Sequence, residues 1–226
     1  MLLYSVYGGA QLYNLTTSTS DIDVRGIFIE PPHIFFSLDT MEYYEDTVSD
    51  TVLFSLRKFI HLALKNNPNT LELLFAPPYQ WITYTPEWIQ IFDIRHKFLS
   101  QRAIKAYSGY LYSEYEQWKK AYDYYPLDEK KLNKRASHIY RLTCNLVQIK
   151  SVQSFSPTLD GEEKYNALAI KNGILSRLQI ERLIELELDY IYMLNPTGGL
   201  PVEPDYAYIN QIITNIQQRV LCENLN

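Results

Sequence analysis

The chain has 226 residues, a formal net charge of −5, 46% hydrophobic residues and 21% charged residues. This balance is typical of a globular protein with a full hydrophobic core, and it excludes an intrinsically disordered chain. The acidic total also excludes bulk attraction to nucleic acid as the main binding force. The charge is uneven, because residues 1–50 carry eight acids and one base, net −7, which leaves about +2 for the remainder.

The cysteines and the hydropathy pattern indicate the setting of the protein. Cys144 and Cys222 lie far apart, and neither belongs to a CxxC pair. With no secretory signal pattern at the N-terminus, this predicts a reducing, cytoplasmic compartment. No apolar run approaches the roughly 20 residues of a membrane-spanning helix, so we expect no membrane association.

The stretch Tyr7–Gly26 is the most informative part of the sequence. It predicts a strand, a tight Gly8-Gly9 turn, a short helix or loop, and a second strand that carries Asp21 and Asp23. Side chains alternate along a strand, so the two carboxylates are expected on one face, where they repel each other unless a cation lies between them. Carboxylate oxygens suit Mg²⁺ or Mn²⁺, and the backbone N–H groups of the two glycines could approach a phosphate.

This stretch resembles the DNA polymerase β-type nucleotidyltransferase superfamily, whose signature is Gly-Ser, a gap of about ten residues, then Asp-x-Asp. More narrowly, the chain resembles the RNA-repair-associated branch of predicted nucleotidyltransferases of bacteria and phages. The matching segments occur in order along nearly the whole chain: TSTSDIDVRGIF (17–28), LRKFIHLALKNNPNTLELLFAPP (56–78), KRASHIYRL (134–142) and LPVEPDY (200–206).

The resemblance implies an α+β fold, with a small mixed-sheet palm followed by an α-helical domain that completes the cleft. The sequence changes from short strands to long helices near residues 85–95, so we place the domains at 1–92 and 93–226. The implied activity is metal-dependent transfer of a nucleoside monophosphate from an NTP to a hydroxyl acceptor. The branch makes an RNA end or tRNA the candidate acceptor; the sequence contains no motif of a known RNA-binding module.

A third carboxylate usually completes the metal site in this superfamily. We expect residues 51–65 to form a helix with Asp50 as its N-cap, and residues 70–78 to form a short buried strand. Glu72 is the charged residue within that apolar strand, and the resemblance assigns it the third-carboxylate role together with Asp21 and Asp23. Asp50 is the other candidate for the third carboxylate. The alternative for Glu72 is a solvent-exposed position at the edge of the strand.

Basic residues on two predicted helices are candidates for binding the phosphates. Lys58 lies within the matching segment of the first helix. On a later helix, predicted over about residues 128–151, Lys134, His138 and Arg141 recur at i, i+4 and i+7 and therefore share a face. The resemblance implies that this face looks across at the metal site. Solvated surface cations are the alternative for all four residues.

One position departs from the family pattern. Ala10 stands where the family has a serine that helps to hold the triphosphate. We expect Ala10 and the neighbouring Gly8 and Gly9 to contact the bound nucleotide. Losing that hydroxyl removes a hydrogen bond worth about 0.5–1.5 kcal/mol. Three alternatives therefore stay open: a catalytically weakened nucleotide-binding module, an enzyme that nucleotidylates a protein or small molecule, and an anion site unrelated to catalysis.

The remaining sequence predicts a helical second half. Apolar residues recur at helical spacing over about residues 86–121, and Pro86 suits a helix start. Two further helices are expected over about residues 176–193 and 205–222, separated by the break Asn195–Gly199.

Overall fold

A computed structural model describes residues 1–18, 20–124 and 128–223. In these residues one mixed sheet has the strand order β3-β4-β2-β1-β5. The strands are β1 (Leu2–Tyr7), β2 (Val24–Phe28), β3 (Tyr43–Asp46), β4 (Thr51–Ser55) and β5 (Trp81–Tyr84). Strands β2 and β4 are parallel, whereas the other neighbouring pairs are antiparallel. Helices follow this sheet, which confirms the expected α+β fold.

The described helices are short around the sheet and long in the second half of the chain. They are α1 (Gly9–Leu12), α2 (Pro32–Phe35), α3 (Leu56–Leu64), α4 (Pro68–Leu74), α5 (Pro86–Asp93), α6 (Gln101–Tyr124), α7 (Glu129–Val152), α8 (Gly161–Lys171), α9 (Arg177–Met193) and α10 (Tyr206–Glu223). The predicted helical regions of the second half are confirmed within the described residues. None of the described helices combines the length and the apolar character needed to cross a bilayer.

The hydrophobic core runs without interruption from the sheet into the helices. A single cluster of buried side chains includes Leu3 on β1, Trp88 on α5, Leu146 on α7 and Val220 on α10. Within it the ring of Tyr4 stacks on that of Trp88, with 3.9 Å between the ring centroids. The division of the chain at residues 92 and 93 stays a prediction.

The structure corrects the helix predicted over residues 51–65. Its first five residues form β4, and the helix α3 begins at Leu56. Ser55, rather than Asp50, is the N-cap, because its hydroxyl accepts a hydrogen bond from the backbone N–H of Lys58 at 3.2 Å. Thr51 and its neighbours become a strand because they pair with β2 on one side and β3 on the other, and this long-range pairing overrides the local apolar spacing.

The strand predicted over residues 70–78 is also wrong. Residues Pro68–Leu74 form helix α4, with the Asn67 side chain accepting from the N–H of Thr70 at 3.3 Å. An N-cap asparagine followed by proline at the first helical position is a helix-start signal. Asn67-Pro68 therefore follows closely after the end of α3 and starts α4.

Asn66 connects the end of α3 to the beginning of α6. Its side chain is fully buried and donates to the carbonyl oxygens of Ala63 at 2.9 Å and Phe98 at 2.7 Å. Its Oδ1 atom accepts from the backbone N–H and the hydroxyl of Ser100 at 3.1 and 2.8 Å. Asn66 also has a positive φ of 54°, a conformation that asparagine tolerates better than most residues. One side chain thus satisfies buried polar groups on both sides of this junction.

We predict that Asn66→Ala lowers the free energy of unfolding by about 3 kcal/mol, because it leaves several buried polar groups without partners. Urea unfolding followed by circular dichroism measures the change. Asn215→Ala is the matched control on an exposed position of α10, with an expected change within about 0.5 kcal/mol. Equal effects of the two substitutions would contradict the role given to Asn66.

Candidate active site

A cleft of about 620 Å³ opens between the end of the sheet and helices α7 and α8. Its first wall is formed by the start of α1, the segment that leads into β2, and Asp50 just before β4. Its second wall is formed by one face of α7 and the end of α8. The cleft brings together many residues that the sequence singled out: Gly9, Ala10, Asp21, Asp23, Asp50, Lys134, His138 and Arg141.

Asp21 and Asp23 lie in an extended segment that precedes β2, because the strand begins at Val24. This corrects the prediction that both acids are on the strand itself, although both line the same cleft. The carbonyl oxygen of Asp23 accepts a hydrogen bond from the N–H of Gly8 at 2.9 Å. The Gly8 N–H is therefore engaged by the protein, which corrects the expectation that it binds a phosphate.

Asp50 lies beside Asp23 because β2 and β4 run parallel and in register. Val24 on β2 is paired with Thr51 on β4, so the residues just before each strand meet at one sheet edge. Burial raises the pKa of Asp23, and the hydrogen-bonded Asp50 carboxyl group raises it further. The same hydrogen bond lowers the pKa of Asp50. Carboxylates at close range perturb each other's pKa in this way.

Arg25 is a site residue that the sequence reasoning missed. Its guanidinium lies 3.7 Å from Oδ1 of Asp23 and 3.4 Å from Oδ1 of Asp50, and it donates to the Asp50 carbonyl oxygen at 2.9 Å. The positive charge partly offsets the repulsion between the two acids. The sequence feature that could have identified Arg25 is its spacing of two residues from Asp23, since residues two apart in an extended segment point the same way.

Gly9 is required by the position of the Asp23 carboxylate. A Cβ atom at residue 9 would lie 1.7 Å from Oδ2 of Asp23, closer than any real contact allows. Gly9 also has a φ of +52°, which side-chain-bearing residues rarely adopt. The glycine of the sequence motif therefore makes room for the acid fourteen residues later as well as for a ligand in the cleft.

The carboxylates of this wall fit a divalent cation of the Mg²⁺ class by their chemistry. Asp21, Asp23 and Asp50 line one cleft and offer hard oxygen donors, which Mg²⁺ prefers. Among the described residues no three His, Cys, Asp or Glu side chains form a preassembled metal cluster.

The structure places Glu72 beneath the cleft wall and away from the other carboxylates. It lies on α4 with 2% of its side chain exposed, and Oε1 is 2.6 Å from Nη1 of Arg141. Its Oε2 atom accepts from the hydroxyl of Tyr13 at 2.7 Å, and the Arg141 guanidinium stacks 3.6 Å from the Tyr13 ring centroid. Both carboxylate oxygens are thus engaged. This position corrects the expectation that Glu72 joins Asp21 and Asp23, since Asp50, and not Glu72, lines the cleft with them.

Lys58 also lies outside the cleft. Its ammonium contacts Oε2 of Glu42 at 2.8 Å and lines a separate cavity beside α3. This corrects the prediction that Lys58 faces the same phosphates as the basic face of α7.

His138, which lies between the two predicted cations Lys134 and Arg141 on this face of α7, is itself neutral. Its Nδ1 atom lies 2.9 Å from Nη2 of Arg141, which can act only as a donor, so Nε2 carries the proton and faces the Tyr110 hydroxyl at 3.1 Å. Burial lowers the pKa of His138 to about 3, with Arg141 and then Arg135 adding to the shift.

Lysines supply the accessible positive charge of the cleft. Lys130, Lys134 and Lys171 line it, and Arg141 is already paired with Glu72. Lys171 donates to the Leu15 carbonyl oxygen at 2.6 Å, and burial followed by the charge of Lys134 lowers its pKa. Lys130 was missed although it lies one turn before Lys134 on the same helix face. Lys171 could not be found this way, because α8 meets the cleft only through tertiary packing.

Two comparisons with known proteins bear on this arrangement. The sequence model of the family described as RlaP, RNA repair pathway DNA polymerase beta family, matches residues 1–188. The chain is also similar to an uncharacterized 38.9 kDa protein from the nrdC-mobD intergenic region of Enterobacteria phage T4, with 29% identity over 118 residues. That similarity covers 46% of this chain and 35% of the phage protein, so the chain matches about a third of its relative's length.

We predict that Glu72→Gln lowers the free energy of unfolding by about 3 kcal/mol, because it leaves the Arg141 charge buried and unpaired. Chemical denaturation measures the loss. Glu203→Gln removes a carboxylate that pairs with Arg102 where about half of each side chain is exposed, and its expected effect is below about 1 kcal/mol. If Glu72→Gln lowers the free energy of unfolding no more than the control does, the buried Glu72–Arg141 pair does not stabilise the fold as predicted.

We also predict that His138 stays neutral at pH 5, because burial lowers its pKa to about 3. Ring-carbon chemical shifts in NMR spectra report each protonation state. Because its folded pKa lies below its unfolded pKa, this group costs stability as the pH falls below roughly 6.5, by at most about 1.4 kcal/mol per pH unit. His138→Gln, which can still accept from Arg141, should lose less stability than wild type between pH 7 and 5. A His138 signal that titrates near pH 6.5 would contradict the burial argument.

Proposed function

The chain belongs to the RNA repair pathway DNA polymerase beta family, and on this premise we propose that it is a metal-dependent nucleotidyltransferase. In this proposal it transfers a nucleoside monophosphate from an NTP to a hydroxyl acceptor, and the acceptor is an RNA end. The observation that carries the proposal is the meeting of three carboxylates and three lysines across one cleft. A volume of about 620 Å³ lies in the usual range for small-molecule sites.

The acidic wall is the proposed catalytic side. Asp21, Asp23 and Asp50 would hold Mg²⁺ or Mn²⁺ ions, which supply charge stabilisation at the phosphates and activation of the acceptor hydroxyl. Gly9 allows the Asp23 carboxylate to approach the turn, and Arg25 holds Asp23 and Asp50 side by side. We assign the third-carboxylate role to Asp50, because both oxygens of Glu72 are engaged by Arg141 and Tyr13.

The basic wall is the proposed phosphate side. Lys134, Lys130 and Lys171 would bind the triphosphate and offset the charge that develops on it. The acceptor oxygen forms a bond to the α-phosphorus, the bond from that phosphorus to the bridging oxygen breaks, and pyrophosphate leaves. The proton of the acceptor hydroxyl passes to the Asp50 carboxylate. Little covalent chemistry is left for other side chains, as in phosphoryl transfer generally.

RNA as the acceptor rests on the family description, which names an RNA repair pathway. An acceptor on a protein or a small molecule uses the same cleft chemistry. Ala10 lines the cleft and favours a second candidate, a nucleotide-binding module that turns over slowly or not at all. Titration of each NTP with Mg²⁺ beside a transfer assay separates the two, since the second candidate requires binding without turnover.

We predict that Asp21→Asn and Asp23→Asn abolish transfer while the fold is retained, and that Asp50→Asn lowers kcat by roughly 100-fold or more. Labelled NTPs offered with Mg²⁺ or Mn²⁺ to RNA, tRNA, total protein and small molecules show which acceptor takes the label. Circular dichroism and unfolding curves verify that each variant is folded.

Glu203→Gln is the matched control, because it neutralises an exposed acid that pairs with Arg102 and takes no part in the cleft. Full activity in a folded Asp23→Asn variant would reject the carboxylate assignment. Full activity in Asp50→Asn would return the third-carboxylate role to another residue.

A further inference from the structure

Helix α9 exposes an apolar stripe to solvent. Leu186 and Tyr190 are each 49% exposed, Met193 is 81% exposed, and Leu183 packs partly against the core beside them. The four residues recur at intervals of three and four, so they follow one another along one face of the helix. Contiguous exposed apolar surface of this kind marks interaction sites in soluble proteins.

The neighbouring helices lie on other sides of α9. Ile184 is buried on the side that faces the core. Burial, and then the charge of Glu185, raises the pKa of Tyr115 on α6 to about 12. Burial and the charge of Glu163 on α8 raise the pKa of Glu187. Helices α6 and α8 thus flank α9, and within the described residues the stripe on its outer side stays exposed.

A groove of about 370 Å³ accompanies the stripe. Its lining includes Gln179, Arg182, Leu183 and Leu186, which occupy positions i, i+3, i+4 and i+7. Four residues at this spacing form the hole that receives one side chain of a facing helix in a coiled coil. The stripe itself offers such side chains, so α9 carries both a hole and a side chain that can fill it.

Two opposite charges lie beside the stripe. Arg182 and Asp189 are exposed and seven residues apart, about 10 Å along the helix axis, which is too far for them to pair with each other. Within the described residues neither has an ion-pair partner, whereas Arg177 and Glu181 pair on the same helix. No lysine or arginine lies three or four residues from Asp189. The helix therefore presents a positive and a negative charge two turns apart along one side of the stripe.

We propose that α9 pairs with α9 of a second copy of this chain in an antiparallel arrangement about a two-fold axis. When the two helices overlap over their full length, Leu186 of one copy lies opposite Leu183 of the other and enters the groove. In the same arrangement Arg182 of each copy lies beside Asp189 of the other, so two ion pairs form. The surface is thus complementary to itself, as a symmetric dimer requires. This dimer is independent of the proposed transfer reaction.

Sedimentation velocity of the full chain at about 1 to 300 µM tests the association. A single pair of helices is a small interface, so we expect a reversible monomer–dimer equilibrium with a micromolar dissociation constant. A chain that stays monomeric throughout this range overturns the proposal and leaves this face to a different protein. Trimers or larger species contradict the two-fold arrangement.

Charge reversal tests the antiparallel register. Arg182→Asp or Asp189→Arg alone turns both ion pairs into like-charge contacts, so we expect the dissociation constant to rise tenfold or more. The double variant restores both pairs in reverse and should associate within about threefold of wild type. Lys105→Asp, an equal charge reversal at an exposed position of α6, is the control and should leave association unchanged. Single variants that associate like wild type, or a double variant as weak as the single ones, overturn the proposal.

Two exposed tyrosines of α9 test the apolar stripe. Tyr190 belongs to the stripe, whereas Tyr192 is 90% exposed on another side of the helix. Tyr190→Ser should weaken dimerisation by about tenfold or more, and Tyr192→Ser should change it by less than about twofold. Circular dichroism verifies that each variant is folded. Equal effects of the two substitutions overturn the assignment of the stripe; if Tyr190→Ser does not fold, the charge reversals at exposed positions decide.

Discussion

The buried ion pair between Glu72 and Arg141 holds the two walls of the cleft together. Glu72 belongs to α4 beside the sheet, and Arg141 belongs to α7 in the helical half. Tyr13, which follows α1, completes the group by donating to Glu72 and stacking under Arg141. Each member removes a polar group from water, and each is costly to bury unless the others are in place. The group therefore fixes where the turn with Gly9 lies relative to the basic face of α7.

This arrangement also explains the electrostatics of the cleft. Arg141 pairs with Glu72 and donates a hydrogen bond to His138. Burial, followed by the charges of Arg141 and Arg135, lowers the pKa of that histidine. The accessible positive charge is left to lysines, which are long, flexible and suited to phosphates of varied position. On the opposite wall burial, and then the neighbouring Asp50 carboxyl group, raises the pKa of Asp23. One wall of the cleft concentrates negative charge, and the opposite wall carries the lysines.

The acidic residues of the cleft could be predicted from the sequence, but the whole cleft could not. Asp21 and Asp23 could be found because a short polar spacing encodes them, and the long helices of the second half could be found from apolar periodicity. The sequence predicts a helix where β4 lies and a strand where α4 lies, because short apolar runs such as TVLFS and LELLF fit both the helical and the strand period. Their states depend on pairing with β2 and on the Asn67-Pro68 start, respectively.

The surroundings of a side chain explain why some residues have roles other than those predicted. The sequence does not distinguish Glu72 from Asp50, since both are acids. The packing of α4 buries Glu72 beneath the cleft, whereas Asp50 lines the cleft. His138 has the spacing of a cation on α7, yet its environment removes its charge. Lys58 shares a matched sequence segment with Glu72 but faces Glu42. Helix periodicity shows which residues share a face, and it cannot show what that face meets.

The parallel pair β2 and β4 gives the sheet two chemically different ends. In a parallel pair the residues before both strands meet at one edge and the residues after both strands meet at the other, so short loops at either end bring distant residues together. At the first edge this places Asp23 beside Asp50, and at the second it places Glu30 near the start of α3.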